Sequence, residues 1–260
     1  MNFICQKQPL TELDNLRLSD RHSVLIEGPA GCGKTYLAMQ YARMLDIADF
    51  QIVIPKVDEI RSAIDACLSL NTRVVLCIEN LDLGMLAASY TLLKFLEEPT
   101  PNVYIIVTCR NSQYVPDTII SRSTVVVCAP PVDSDLAGYA LSVDKSKFEE
   151  LLSDPLWKCV STFQDVKIVL GLSPDQLMYF HNLSTLVSFK DSISNIVWKL
   201  GHFEDNSETP VELVIRYVMN LVGTIHAKRC GISCLNDISD RRIAEHAVLA
   251  KFAFDMKYCE

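Results

Sequence analysis

The chain has 260 residues, with 24 Lys and Arg against 32 Asp and Glu, so its formal net charge at neutral pH is −8. Apolar residues make up 49% and charged residues 22%. These values are typical of folded globular proteins and exclude a collagen-like, low-complexity or largely disordered chain. The negative charge argues against strong DNA binding by the isolated chain, because that affinity comes from neutralising phosphates.

The sequence contains no apolar run of the roughly 20 residues that a membrane-spanning helix needs. Its first ten residues lack the basic region and apolar stretch of a secretory signal, so we expect a cytoplasmic protein. The ten cysteines include no Cys-x-x-Cys pair. We expect buried, reduced thiols. The alternative is a structural zinc site built from distant ligands, which the spacing does not support.

The first half of the chain alternates apolar strand patterns with helical ones. Strands are predicted at 23–27, 51–54, 73–78, 103–108 and 124–128, and helices at 34–45, 57–70, 84–98 and from Pro116, a residue that suits a first helical turn. Apolar strands separated by helices are typical of a parallel sheet covered on both faces. The sequence therefore predicts an α/β fold with a five-stranded parallel sheet.

After Pro130 and Pro131 the pattern becomes helical. Helices are predicted at about 135–142, 146–153, 162–171, 174–181, 191–200, 210–228 and 239–257, and the polar stretch 201–209 is predicted to be a linker.

One glycine-rich segment between a predicted strand and a predicted helix fits the pattern G-x-x-x-x-G-K-[ST]. Its candidate nucleotide-binding residues are Gly28, Pro29, Ala30, Gly31, Cys32, Gly33, Lys34 and Thr35. The glycines let backbone N–H groups turn towards phosphates, Lys34 reaches the β- and γ-phosphates, and the Thr35 hydroxyl is a Mg²⁺ ligand. The helix that follows directs its positive end at the same anion. The motif predicts ATP binding, and the alternative is a glycine-rich turn without a ligand.

A carboxylate is expected at the end of a neighbouring strand, where it holds Mg²⁺ beside the phosphates. Glu79 follows the strand 73–78 directly and is the candidate metal residue together with Thr35. Asn80 comes next, where an ATPase normally carries a glutamate that activates water. Its amide orients water but accepts no proton at neutral pH, so we expect hydrolysis to be slow or to depend on partner subunits. Asp82 is the next carboxylate, and an acidic surface turn is the alternative for both carboxylates.

Further segments establish a resemblance to a known family. Residues 91–99 read Thr-Leu-Leu-Lys-Phe-Leu-Glu-Glu-Pro, the strand 103–108 follows, and residues 117–123 read Asp-Thr-Ile-Ile-Ser-Arg-Ser. In this order, over about residues 20–128, the chain resembles the AAA+ ATPase subunits of DNA polymerase clamp loaders, above all the bacterial delta-prime and gamma subunits. The resemblance implies three domains: an AAA+ P-loop core over 1–130, a small helical lid over 131–190, and a truncated, collar-like helical region over 191–260 that makes oligomer contacts.

The resemblance also implies roles for single residues. Glu79 takes the metal position of the Walker B motif, and Arg110 and Asn111 fall in the sensor 1 region, which detects the γ-phosphate. Arg122 matches the arginine of the Ser-Arg-Cys motif, which reaches the ATP site of the neighbouring subunit, a task suited to a permanently charged guanidinium. The alternative for Arg122 is a surface cation at a helix end. Lys167 is a weaker candidate for sensor 2.

The chain departs from the family pattern in four places. The Walker B segment reads Ile-Glu-Asn-Leu-Asp instead of Ile-Asp-Glu, and the arginine motif ends in serine instead of cysteine. Residues 46–56 are too few to hold the four-cysteine zinc module of many bacterial relatives, and the C-terminal region is shorter than a full collar domain. A compact viral, phage-encoded or plasmid-borne form fits these departures.

The function implied by the resemblance is that of an ATP-binding clamp-loader subunit. With other subunits, of its own or a different kind, it would help to open a sliding clamp and place it on primer–template DNA during replication. One alternative is a catalytically weak AAA+ scaffold that loads or remodels another replication protein, such as a helicase. A third is a nucleotide-binding regulator without a role on DNA.

Overall fold

A computed structural model describes residues 6–18, 22–68, 72–98, 100–178, 180, 211–222, 229–235 and 251–252. The chain divides into two units, Met1–Asp135 and Leu136–Glu260. The predicted helix 191–200, the linker 201–209, most of the helix 239–257 and the predicted domain boundary at 190 lie outside the described residues. No helix in the described parts of the chain is both long and apolar enough to cross a membrane.

The first unit alternates helices and strands around one sheet. Its elements are α1 (Lys7–Arg17), β1 (Ser23–Glu27), α2 (Lys34–Met44), β2 (Asp49–Val53), α3 (Val57–Leu68), β3 (Val74–Ile78), α4 (Leu86–Glu97), β4 (Val103–Cys109), α5 (Asp117–Ile120) and β5 (Thr124–Val127). The strand order is β2-β3-β4-β1-β5, and every neighbouring pair is parallel. The predicted α/β fold with a five-stranded parallel sheet is confirmed.

The central strands are apolar throughout because both faces of the sheet are covered. In β1, Leu25 belongs to the core on one face, whereas Val24 and Ile26 belong to the core on the other. This alternation is the two-residue period of an extended strand. Residues of α3 and α4 complete the first core, and residues of α1 and α2 complete the second. The packed sheet holds the carboxyl ends of β1, β3 and β4 at one edge, where the predicted site residues lie.

Several boundaries differ from the sequence prediction. The pattern did not predict α1, on which only Pro9 and Leu13 are buried. Strand β2, at the edge of the sheet, begins at Asp49 because this residue pairs with Val74 of β3, although Asp49 and Gln51 are polar. Pro116 precedes α5 as its N-cap residue, with an extended ψ of 137°, and so lies just outside the first helical turn.

The second unit is helical in its described residues. Helix α6 (Asp133–Val143) crosses the unit boundary and is followed by α7 (Lys145–Leu151), α8 (Phe163–Gly171) and α9 (Val211–Val222). Thr162 and Asp165 form a capping box at the start of α8. The Asp165 carboxylate also accepts hydrogen bonds from both Nη atoms of Arg216, at 2.7 and 3.0 Å. This bidentate ion pair joins α8 to α9 in the interior of the unit.

Candidate nucleotide-binding site

The segment 28–35 lies at the carboxyl end of β1, which is flanked by β4 and β5 in the sheet. Gly31 and Gly33 have φ angles of 70° and 99°. Glycine adopts this left-handed region without the penalty that a Cβ would impose. Gly33 is also the N-cap residue of α2, so the loop turns directly into the positive end of a helix. The segment therefore has the backbone of an anion-binding loop.

Gly28 permits a close approach between the loop and β5. A Cβ at position 28 would lie 2.4 Å from the carbonyl oxygen of Cys128 and 3.0 Å from Cys32 Sγ. The N–H of Gly28 donates to the Cys109 carbonyl at 3.1 Å, and the N–H of Cys128 donates to the Glu27 carbonyl at 2.7 Å. The first glycine of the motif is thus required by strand packing beneath the loop.

Lys34 is a buried cation inside the loop, with 6% of its surface exposed. Its Nζ donates to the carbonyl oxygens of Gly28 and Pro29, both at 2.8 Å. No carboxylate among the described residues lies within ion-pair distance of this ammonium group. A buried charge is stabilised by an opposite charge, so the loop has the electrostatics of a phosphate site.

The two predicted metal ligands lie together. The Thr35 hydroxyl donates to a carboxylate oxygen of Glu79. Glu79 directly follows β3, and its N–H extends the ladder by donating to the Val53 carbonyl at 3.0 Å. Hydroxyl and carboxylate oxygens are hard donors, which Mg²⁺ binds together with phosphate oxygens and water. The donor set at this place therefore fits a magnesium ion.

Asn80 connects the end of β3 to β4. It has a left-handed backbone, with φ 49° and ψ 55°, which asparagine tolerates better than most residues. Its N–H donates to the Thr108 hydroxyl at 2.9 Å. Thr108 is 1% exposed and was not identified from the sequence, because it lies inside an apolar strand pattern. The sequence did offer one signal for Thr108: a hydroxyl buried in an apolar strand requires a hydrogen-bond partner.

The two residues predicted for sensor 1 differ in their contacts. The backbone N–H of Arg110 donates to Asp82 Oδ2 at 3.0 Å. Asp82 Oδ1 and Arg110 Nε are both buried and have no hydrogen-bond partner among the described residues. Unpaired buried polar atoms cost about 1–3 kcal/mol each, so they mark a place where a polar ligand or water would bind. The Asn111 oxygen instead accepts from the N–H of Gln113 at 2.9 Å and caps a short turn.

Arg122 lies at the surface after α5. Its two Nη atoms contact Glu97 Oε1 and the Thr118 carbonyl, both at 2.8 Å. The Arg122 and Glu97 side chains are 34% and 52% exposed, so water weakens their attraction. The hydroxyl of Ser123 lies 2.8 Å from that of Ser23 on β1. The serine that replaces the family cysteine thus anchors the motif to the sheet, while the arginine stays at the surface.

The eight cysteines in the described parts of the chain are reduced and buried: Cys32, Cys67, Cys77, Cys109, Cys128, Cys159, Cys230 and Cys234. A hydrogen bond from Cys128 lowers the pKa of Cys32 to about 7; the Lys34 charge adds to this effect and burial opposes it. Burial raises the pKa of Cys77 and of Cys109 to about 12. The loop thiol is therefore chemically unlike the thiols inside the strands.

Comparison with known proteins gives a family match over part of the chain and structural matches over most of it. A model of the DNA polymerase III delta subunit family matches residues 46–131. A DNA polymerase III gamma subunit-related protein of Thermotoga maritima superposes with a TM-score of 0.58 at 16% identity, covering 96% of this chain and 99% of that one. The RuvB Holliday junction branch migration motor of Thermotoga maritima superposes with a TM-score of 0.53 at 16% identity, covering 90% of this chain and 83% of that one. No curated protein sequence matches the chain.

The matched family segment begins two residues after α2, continues past β5, and contains Glu79, Arg110 and Arg122. The superpositions establish the fold, and the family match confirms the resemblance to clamp-loader subunits. The chain therefore has the AAA+ fold, and its residues 46–131 match the DNA polymerase III delta subunit family.

Proposed function

We propose that the chain binds Mg²⁺ and ATP and acts as a subunit of a clamp loader in DNA replication. The observation that carries the proposal is the convergence of three features at one edge of the sheet. These are the left-handed glycine loop 28–35, the buried ammonium of Lys34 and the hydrogen-bonded pair of Thr35 and Glu79. The family match over 46–131 supports a replication role of this type.

In the proposed complex, the loop N–H groups and Lys34 hold the nucleotide phosphates. The Lys34 ammonium exchanges the carbonyl oxygens of Gly28 and Pro29 for phosphate oxygens, which carry full negative charge and bind it more strongly. Thr35 and Glu79 hold the metal ion, which supplies charge neutralisation beside the phosphates. Binding of the nucleotide and its metal ion is thus assigned to groups that already contact one another: Lys34 with the loop carbonyls, and Thr35 with Glu79.

Asn80 gives the proposed site an amide where a proton acceptor is expected. The amide can hold a water molecule in position, but it does not take its proton. Asp82 provides a carboxylate on the same connection, and one of its oxygens already accepts the Arg110 N–H. We therefore propose that ATP acts chiefly as a ligand that organises the protein, with slow turnover in the isolated chain.

Arg122 is proposed to act on the nucleotide of a neighbouring subunit. Its ion pair with Glu97 is exposed, so it can open at small energetic cost when a phosphate is offered. Residues 131–190 are proposed to form a helical lid, and residues 191–260 a helical region for oligomer contacts. The partners proposed for the assembly are a sliding clamp and primer–template DNA. Because the net charge of −8 disfavours DNA binding by the isolated chain, we propose that the assembly makes the DNA contacts.

Clamp binding tests the proposal. Purified tagged chain is mixed with the sliding clamp of its own source, with and without Mg·ATP, and complexes are measured by native mass spectrometry. We expect a clamp complex that forms with Mg·ATP and is lost in Lys34→Ala. Binding to a replicative helicase instead of the clamp would favour the remodelling scaffold. ATP binding without either partner would favour a nucleotide-binding regulator.

A further inference from the structure

Two cysteine side chains meet beneath the phosphate-binding loop. Cys32 belongs to the loop and Cys128 directly follows β5, 96 positions later in the chain. The Cys128 thiol donates to the Cys32 carbonyl at 3.4 Å. A Cβ at Gly28 would lie 3.0 Å from both Cys32 Sγ and Cys128 Cβ. Both side chains therefore border the same small space above Gly28.

The environment makes Cys32 the more reactive partner. A side-chain hydrogen bond with Cys128 lowers the pKa of Cys32 to about 7; burial opposes this effect and the Lys34 charge adds to it. The thiolate is the nucleophilic form of cysteine, so the lowered pKa makes Cys32 more reactive at neutral pH than an ordinary cysteine. Cys109, beside the same loop, has its pKa raised to about 12 by burial and stays a thiol.

We propose that Cys32 and Cys128 form an oxidation site that takes a peroxide and controls nucleotide binding. The Cys32 thiolate attacks one peroxide oxygen, the O–O bond breaks, and the hydroxide that leaves becomes water on protonation. The Cys128 sulfur then attacks the sulfenic sulfur, the S–O bond breaks, and a second water leaves. The two cysteines lose two electrons in forming the disulfide, and hydrogen peroxide is reduced to two waters.

Access to the pair depends on the loop. Cys32 and Cys128 are 0% and 1% exposed, whereas Pro29 and Ala30 of the same loop are exposed. We therefore expect a small oxidant to reach the pair when the loop moves. A nucleotide bound by the loop should restrict that movement and slow the oxidation.

The inference rests on the proposed binding of ATP by the loop. Cys32 lies between Gly31 and Gly33, whose left-handed backbones give the loop its shape. Joining Cys32 Sγ to Cys128 Sγ replaces a hydrogen-bond contact by a covalent bond and pulls the loop towards β5. Lys34 follows two residues later, so its ammonium and the neighbouring N–H groups move with the loop. The disulfide form should lose phosphate binding, and reduction should restore it.

The test uses the full chain as wild type, as Cys128→Ala and Cys128→Ser, and as Cys67→Ala. Cys67 is a matched control because it is also buried but belongs to the core on the opposite face of the sheet. Each protein is treated with hydrogen peroxide at pH values about one unit below and above 7. Disulfides are identified by peptide mapping under non-reducing conditions, and nucleotide binding is measured as the rise in melting temperature caused by Mg·ATP.

We expect a Cys32–Cys128 linked peptide in the wild type and in Cys67→Ala, formed about tenfold faster at the higher pH because the thiolate fraction is tenfold greater. The linked protein should lose the ATP-induced rise and regain it with dithiothreitol. Both Cys128 variants should keep the rise after the same treatment.

Absence of the linked peptide, or a linked protein that keeps the full rise, would overturn the inference. A reduced wild type without any rise would instead overturn ATP binding, and the peptide map would still decide whether the disulfide forms.

Discussion

The glycine-rich loop 28–35 and the ends of β3 and β4 are proposed to serve the same nucleotide, yet only the loop has every group that this task requires. The loop has left-handed glycines, a buried Lys34 and the contact between Thr35 and Glu79. The strand ends have Asn80 in place of a base. They also hold the buried atoms Asp82 Oδ1 and Arg110 Nε, which have no hydrogen-bond partner in the part of the chain that the structure describes. The difference supports the proposal that the chain binds nucleotide but hydrolyses it only slowly by itself.

The largest expected effect tests whether this chain supplies a catalytic charge to its neighbour. In a reconstituted assembly, Arg122→Ala should slow hydrolysis in the adjacent competent subunit by about 10³-fold or more, because an arginine finger is worth that much. The isolated variant should fold and bind ATP normally, since its ion pair with Glu97 is exposed. Steady-state ATPase assays and native mass spectrometry measure the two effects.

Glu97→Ala is the matched control for Arg122, because it removes the same ion pair and keeps the arginine. It should assemble and hydrolyse ATP like the wild type. If Arg122→Ala and the wild type assemble and hydrolyse ATP equally well, Arg122 is only a surface cation at the helix end.

The next largest effect should come from restoring a proton acceptor at the end of β3. Wild-type turnover should lie well below ~1 s⁻¹, the lower end for ordinary enzymes. Asn80→Glu should raise it by about 10²-fold or more, because a positioned general base contributes that much. Phosphate release at saturating Mg·ATP is the measurement.

Asn80→Gln is the matched control, since it places a longer side chain on the same left-handed backbone, φ 49°, without a carboxylate. Its turnover should stay near that of the wild type. Fast wild-type hydrolysis that survives Asn80→Ala would contradict our assignment and direct attention to Asp82.

Removing the loop cation should abolish the stabilisation by nucleotide. Mg·ATP at a hundred times its dissociation constant adds about 2.7 kcal/mol to the free energy of unfolding. Lys34→Ala should lose most of this gain, because the ammonium is buried inside the loop. Lys94→Ala, on the exposed side of α4, should keep it. Thermal unfolding with and without Mg·ATP decides between them, and an equal gain in both variants would show that Lys34 does not hold the phosphates.

The smallest effect concerns the backbone beneath the loop. Gly28→Ala places a Cβ 2.4 Å from the Cys128 carbonyl oxygen, and we expect it to destabilise the protein by about 1–3 kcal/mol, as overpacking does. Gly171→Ala, at the end of α8, meets no atom within 4 Å and should stabilise the protein by about 0.4–1 kcal/mol. Urea unfolding measures both. If Gly28→Ala leaves the free energy of unfolding unchanged, the loop shifts more easily than its packing indicates.

The sequence predicted the features that short segments specify by themselves. The loop 28–35 and the carboxylate after β3 are local patterns, and the apolar strands required a covered parallel sheet. Helix α1 was missed because only two of its residues, Pro9 and Leu13, are buried. Together with the partly buried Leu10 and Leu16 they do follow helical spacing, but the helix is short and mostly polar, so the signal is weak.

Contacts between distant parts of the chain could not be predicted in the same way. The hydrogen bond from Asn80 to Thr108 spans 28 positions, and the one from Cys128 to the Cys32 carbonyl spans 96. Each depends on strand order, which the apolar pattern alone leaves undetermined. The Cys128 side chain could be read only as a buried thiol until β5 was placed beside β1.

The close contact between Gly28 and the residue after β5 has a genetic consequence. The atom that excludes a side chain at position 28 is the backbone carbonyl oxygen of residue 128, at 2.4 Å, and every amino acid carries that oxygen. A selection for suppressors of Gly28→Ala should therefore find no rescuing replacement at position 128, however small its side chain. We expect position 128 itself to accept other small side chains, so the two facing positions should show opposite tolerance in a saturation library.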